Sequence, residues 1–247
     1  MSEINAQEMP LLAHLLELRN RLLRALLAVG LVFAALAAFA QEIYHQLAMP
    51  LLDKLPEGAS MIATDVATPF FTPFKLAMVL AFFLAMPVVL YQVWAFVAPG
   101  LYKNEKRLVA PLMAASTLLF YGGIAFAYFV VFPIIFGFFT SVAPQGVTIA
   151  TDIASYLDFV LKLFFAFGLA FEIPIAVMLL CHTGATTPAS LKQKRPYIIV
   201  GAFVLGMLLT PPDVISQTLL ALPMWLLYES GILMASLTTR AKDEEEE

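Results

Sequence analysis

The stretch HLLELRNRLLR, from His14 to Arg24, sets one carboxylate among three arginines directly before the apolar run ALLAVGLVFAALAAFA. Glu17 can do one of two things there. It can pair with Arg21 one helical turn on, an interaction of roughly 0.2–0.5 kcal/mol, and the arginines are then lipid anchors. Alternatively it can accept a guanidinium from a partner, in a planar two-bond fork that a point-charge lysine does not reproduce. On a helix His14, Glu17, Arg21 and Arg24 share a face, and Arg19 points away. The loop PGLYKNEKR, Pro99 to Arg107, supplies a second carboxylate among bases, Glu105. Phe96, Leu101 and Tyr102 stand close enough in sequence to receive an apolar side chain beside it. Two such carboxylates at one level would make a receptor for a cationic segment carrying two arginines.

The other polar residues in apolar surroundings are few. Glu172, in AFEIPIA, falls near the middle of a long apolar segment. A charge at the bilayer centre costs at least ~2.5–3.5 kcal/mol, so Glu172 is expected to face a hydrated interior or to be protonated by desolvation. It is read either as a functional intramembrane acid or as a satisfied core glutamate; as an acid it would suit a proton- or cation-coupled transporter. Asp158 and Lys162, four apart, can pair with each other and are read as structural. Gln217 can hydrogen-bond another helix in lipid. His14, His45 and His182 are scattered, and no phosphate loop, dinucleotide fingerprint or serine elbow is present. The single cysteine, Cys181, supplies neither a disulfide framework nor a thiolate metal site. The expectation is a chain that is no enzyme, uses no cofactor or metal, and has no nucleic-acid partner.

The elements that must position these groups are transmembrane helices. The chain has 247 residues, 61% of them hydrophobic and 13% charged, far from the roughly 45–50% and about 25% of soluble domains. Six apolar segments stand out, at 22–40, 74–97, 108–136, 153–181, 197–209 and 215–237. The first four can cross ~30 Å of hydrocarbon, and helices are the default because lipid offers the backbone no partner. Basic residues cluster before the first segment, between the second and third, between the fourth and fifth, and after the last, which puts both termini in the cytoplasm. The fifth segment is short, and TPPD (Thr210–Asp213) turns the chain after it, since two prolines cannot continue a helix. Pro87, Pro111, Pro133, Pro174 and Pro223 should kink their helices and favour a cupped arrangement. The acidic end, 238–247, reads as a disordered cytoplasmic tail, and the polar, acidic start lacks the pattern of a cleavable signal peptide. IATDVATPFFTPFK (Ile62–Lys75) echoes IATDIASYLDFVLK (Ile149–Lys162) without a gap. The echo fits either a parallel repeat of two helix pairs or a shared helix-capping signal. YHQLAMPLLDKL, in the long connection after the first segment, is amphipathic and could cap the outer surface.

Several long motifs together carry a resemblance. HLLELRNRLL, MIATDVATPFFTPFKL, YQVWAFVAPGLYKNEKR, FGLAFEIPIAV, KRPYIIVGAFV and GMLLTPPDVISQTLLALPM closely resemble the C-subunit family of the twin-arginine protein translocase, in order from His14 through Glu229. The resemblance implies an all-α, six-helix protein of the bacterial inner membrane, cupped, with short helices five and six and both termini cytoplasmic. It implies recognition of twin-arginine signal peptides on folded cargo, assembly with single-span A and B subunits, self-association in the receptor complex, and drive by the protonmotive force. It further implies Glu17 and Glu105 as twin-arginine ligands, with Arg19, Phe96, Leu101, Tyr102 and Lys103 lining the same site. Pro50 would be a sensitive position of the outer cap, Glu172 the intramembrane acid, and Asp213 an acid of the outer turn. Met207, Leu208, Thr210 and Gln217 would form the surface where partner helices dock.

Overall fold

The computed structural model describes residues 4–53, 61–97, 106–142, 150–209 and 214–246. Among them every regular element is helical, and the one extended contact is a parallel bridge between Ile62 and Asp152. The backbone divides into two compact units, Met1–Tyr44 with Pro73–Thr117, and His45–Thr72 with Leu118–Glu247.

All six segments read from the sequence are helical, most of them longer than the apolar run alone. α1 (Ile4–Leu36) passes through one 3-10 turn into α2 (Ala40–Leu52). Leu, Glu and Arg are good helix formers, so nothing in HLLELRNRLL stops the helix at the membrane boundary. Leu27 and Leu31 of α1 are each 67% exposed, which suits hydrocarbon as the solvent and would be costly in water.

Of the five prolines expected to kink their helices, Pro87, Pro133 and Pro174 lie at breaks or irregular turns, whereas Pro111 and Pro223 lie inside unbroken helices. α3 (Thr68–Leu84) and α4 (Met86–Val97) are bent by 49° at Ala85, two residues before Pro87. α5 (Lys106–Phe126) widens into a π-helical segment, Ala127–Val131, before α6 (Phe132–Ser141), whose second residue is Pro133. The wider register absorbs the amide that proline lacks. α7 (Ile153–Ala170) breaks at Phe171–Glu172 and resumes as α8 (Ile173–His182), again with proline, Pro174, at its second position. α9 (Pro188–Gln193) is a single turn and a half, and α10 (Arg195–Leu209) has 15 residues, about 22 Å at ~1.5 Å per residue against ~30 Å of hydrocarbon. The fifth segment is therefore short, as its sequence indicates.

α11 (Val214–Glu246) departs from expectation at its end. The segment 238–247, read as a disordered tail, is helical through Glu246. Ala, Lys and Glu favour helix, and no glycine or proline follows Pro223 to stop it except Gly231, which is inside the packed part of the helix.

Small residues let the helices of the larger unit approach closely. A side chain at Gly123 of α5 would lie 2.4 Å from the Phe167 carbonyl of α7, and one at Gly231 of α11 would lie 2.9 Å from Pro174 of α8. This is the packing expected where lipid gives no hydrophobic drive between helices. Phe120, Phe132, Phe167, Leu157 and Leu163 fill the space around the α5–α7 contact and are fully buried. Val177, Tyr228, Ile232 and Ala235 do the same between α8 and α11.

Candidate functional site

In the smaller unit, four of the side chains singled out in the sequence meet in two pairs, Glu17 with Arg21 within α1 and His14 of α1 with Phe96 of α4. Glu17 Oε1 accepts two bonds from Arg21, one from Nε at 2.9 Å and one from Nη2 at 2.5 Å. The one-turn spacing on α1 makes this pair, and the Glu17 side chain stays 38% exposed. Phe96, near the end of α4, is stacked by His14, with ring centroids 4.2 Å apart and 19° between planes. Arg19 points to the other side of α1, exposed, and donates from Nη2 to Asn20 Oδ1 at 3.3 Å. Leu101, Tyr102, Lys103 and Glu105 lie outside the described residues. α5 begins at Lys106, one residue after Glu105.

Pro50 falls in the last turn of α2. Proline has no amide proton, so the Gln46 carbonyl four residues back has no helical donor. Tyr128 fills that place, its hydroxyl donating to Gln46 O at 3.0 Å. Tyr156 donates likewise to Leu47 O at 2.8 Å. Two phenols from the third and fourth segments thus hold α2, and their role is not visible in the sequence.

A second tie lies at the start of α7. Asp152 caps that helix, its Oδ1 accepting from the amides of Ala154 and Ser155 at 3.1 and 2.9 Å. Its Oδ2 accepts from the amide and hydroxyl of Thr64 at 3.2 and 2.9 Å. Ile62 pairs alongside, donating to Thr151 O and accepting from Ile153 N at 2.9 Å each. Bonds from Ser155 and Thr64 hold the Asp152 carboxyl at about 2, below the ordinary 3.8. The two echoed IATD stretches therefore touch each other, and only the second uses its aspartate as a cap: α3 begins three residues beyond Asp65.

Glu172 sits at the break between α7 and α8, half-buried, and makes no side-chain capping bond to α8. The backbone ladder shifts there, with Glu172 N bonded to Leu169 O at 3.1 Å. Met207 and Leu208 on α10 are 52% and 68% exposed. Gln217 on α11 lies against Gly206, whose missing side chain allows the two helices to close. Thr210 and Asp213 lie outside the described residues. Beside this surface a pocket of about 170 Å³ is lined by Ile199, Phe203, Thr218, Ala221, Leu222 and Trp225. The Trp225 indole N–H is buried there without an acceptor among the described residues. At the other end of the same helix pair, Arg195 Nη2 donates to Glu229 Oε2 at 2.6 Å, and Nε lies 2.6 Å from Oε1 as a charge contact whose N–H is not aimed at the oxygen.

A family profile described as Sec-independent protein translocase protein (TatC) matches residues 13–223. The chain belongs to the TatC family. A TatC of Azotobacter chroococcum is 63% identical over 230 residues, 93% of this chain and 90% of the relative. Those of Haemophilus influenzae and Escherichia coli K12 are 60% and 58% identical, over 99% and 92% of this chain and 95% and 88% of theirs. A crystal structure described as the twin-arginine translocase receptor TatC superposes with a TM-score of 0.82 at 40% identity, covering 92% of this chain and all but 1% of that one (99%). TatC proteins are translocase components rather than enzymes, and the helical architecture of this chain is theirs.

Proposed function

We propose that this TatC chain is the receptor subunit of a twin-arginine translocase in the bacterial inner membrane, with both termini in the cytoplasm. The observation that carries this reading is the match to the crystallised twin-arginine translocase receptor over nearly its whole length. Basic clusters at alternate connections favour the orientation. In this reading Glu17 and Glu105 each take one guanidinium of the signal peptide, and Arg19, Phe96, Leu101, Tyr102 and Lys103 line the site around them. A carboxylate at the cytoplasmic rim suits that task because an arginine fork needs a planar two-oxygen acceptor.

The single-span A and B subunits dock on the surface of Met207, Leu208, Thr210 and Gln217, whose described members are on adjacent helices. Asp213 belongs to the outer turn beside them. The buried Trp225 N–H offers a partner helix one hydrogen bond at the pocket next to it. Pro50 serves the outer cap by leaving Gln46 O for Tyr128. Glu172 acts at membrane depth in transport driven by the protonmotive force, and copies of the chain associate in the receptor complex.

The test is photo-cross-linking from position 105 in the full chain, in membranes, to a twin-arginine precursor. Adducts to the twin-arginine region that vanish when the pair is changed to two lysines are expected. Adducts of equal yield with both precursors would remove the receptor reading. Glu172→Gln should leave those adducts intact while slowing transport, and unchanged transport would make Glu172 structural.

A further inference from the structure

Of the three described residues of α1 and α4 that should contact the peptide, two, Glu17 and Phe96, are already covered from α1 itself. Arg21 places Nε and Nη2 on one oxygen of Glu17, and His14 lies flat on Phe96. An incoming guanidinium needs both oxygens of Glu17 in one plane. Oε1 is taken, and Oε2 carries no bond from any described residue. An ammonium delivers its bonds from a point and can settle on Oε2 alone. A guanidinium completes its fork only by evicting Arg21.

We propose that Arg21 is an internal stand-in for the ligand's arginine, occupying Glu17 in the empty receptor and yielding to a peptide guanidinium. The inference rests on the reading of Glu17 as a ligand given above. Its consequence is exchange in place of simple capture. When the peptide leaves, Arg21 returns to Glu17, so the carboxylate is never left uncompensated. Such a site holds cargo less tightly than a bare carboxylate and releases it more readily. Arg21 therefore sets the affinity for arginine, and it does so more than for lysine.

The experiment titrates the full chain in lipid nanodiscs with a synthetic twin-arginine signal peptide and with its double-lysine counterpart. Arg21→Gln removes the competitor and keeps a good helix former. Arg24→Gln removes the same charge one turn further on the same face, where no bond to Glu17 exists among the described residues, and so controls for charge. Relative to Arg24→Gln, Arg21→Gln should bind the twin-arginine peptide roughly 1.4- to 2.3-fold more tightly, the scale of a released one-turn ion pair of about 0.2–0.5 kcal/mol, with the double-lysine peptide unchanged. Binding that is equal to or weaker than that of Arg24→Gln overturns the inference, because Arg21 would then be idle or would position Glu17. Equal gains for both peptides overturn it too, since any cation would then evict Arg21. A Glu17→Gln arm separates the two readings. If it leaves twin-arginine binding intact, the receptor assignment of Glu17 fails; if it weakens binding while Arg21→Gln matches its control, only the stand-in fails.

Discussion

Glu17 and Glu229 each hold an arginine of their own chain, and the two contacts are built differently. Glu229 on α11 meets Arg195 at the head of α10 through both oxygens, across 34 residues of sequence. Glu17 meets Arg21 through one oxygen, within a single turn of α1. The first pair joins two helices, and its glutamate is only 24% exposed. Cutting it removes a tie and leaves a partly buried charge. The second pair joins nothing that the helix does not already join. A carboxylate that fixes the fold engages both oxygens within the molecule, and one that is half-engaged retains capacity for something else.

Exchanging the roles of the two glutamates in experiment tests the contrast. The largest effect is expected from Glu17→Ala on binding of a twin-arginine signal peptide. A hydrogen bond to a charged group contributes about 1.5–3 kcal/mol, so affinity should fall by roughly tenfold or more. The melting temperature should hold within about 1 °C, because an exposed one-turn pair adds little. Arg195→Ala should do the converse, lowering Tm by about 2–4 °C while signal-peptide affinity is retained. Isothermal titration and thermal unfolding of both variants decide the matter. If Arg195→Ala depresses binding as deeply as Glu17→Ala, the two carboxylates do not divide into structural and functional kinds.

What could be read from the sequence follows the same division. The six segments, the breaks near Pro87, Pro133 and Pro174, and the shortness of α10 were legible because apolar length and missing amides act locally. Glu17 and Arg21 were legible as a pair because helical spacing alone sets it. Arg195–Glu229 was not, because pairing across 34 residues depends on how α10 folds back on α11. Tyr128 and Tyr156 look like ordinary interfacial aromatics until α2 is placed beside them. The helical end of α11 was hidden by its charge, which suggests a solvated tail and says nothing against helix. Four of the seven residues proposed to bind the peptide, Leu101, Tyr102, Lys103 and Glu105, lie outside the described residues.

A smaller effect is expected at α2. If Pro50 matters because it frees Gln46 O, then Tyr128→Phe should lower Tm by a few degrees, as loss of one hydrogen bond of about 1 kcal/mol does. Pro50→Ala restores the amide, satisfies Gln46 within the helix and displaces the phenol. The two changes made together should then cost no more than the larger of them alone, measured as a double-mutant cycle in thermal unfolding. Simple additivity would mean that proline and tyrosine act independently, and α2 would owe its place to packing around Leu47 and Leu51.

The smallest effect is a matter of acid. Asp152, like Glu229, engages both oxygens, but with amides and a hydroxyl in place of a guanidinium. Its carboxyl is held at about 2 against an ordinary 3.8. A depressed value means that the folded state favours the charged form. The contribution is complete above the ordinary value, fades as the pH falls from about 4 through about 2, and is gone below both. Asparagine at this position keeps a cap on α7 but cannot titrate. The gap in Tm between the native chain and Asp152→Asn should therefore be constant from pH 7 to 5 and close as the pH drops from about 4 toward 2. A gap that persists unchanged at the acid end would show that Thr64 is held by geometry alone. A gap that closes places the charge of Asp152 on the structural side of the contrast, with Glu229, and leaves Glu17 as the carboxylate with an oxygen still to offer.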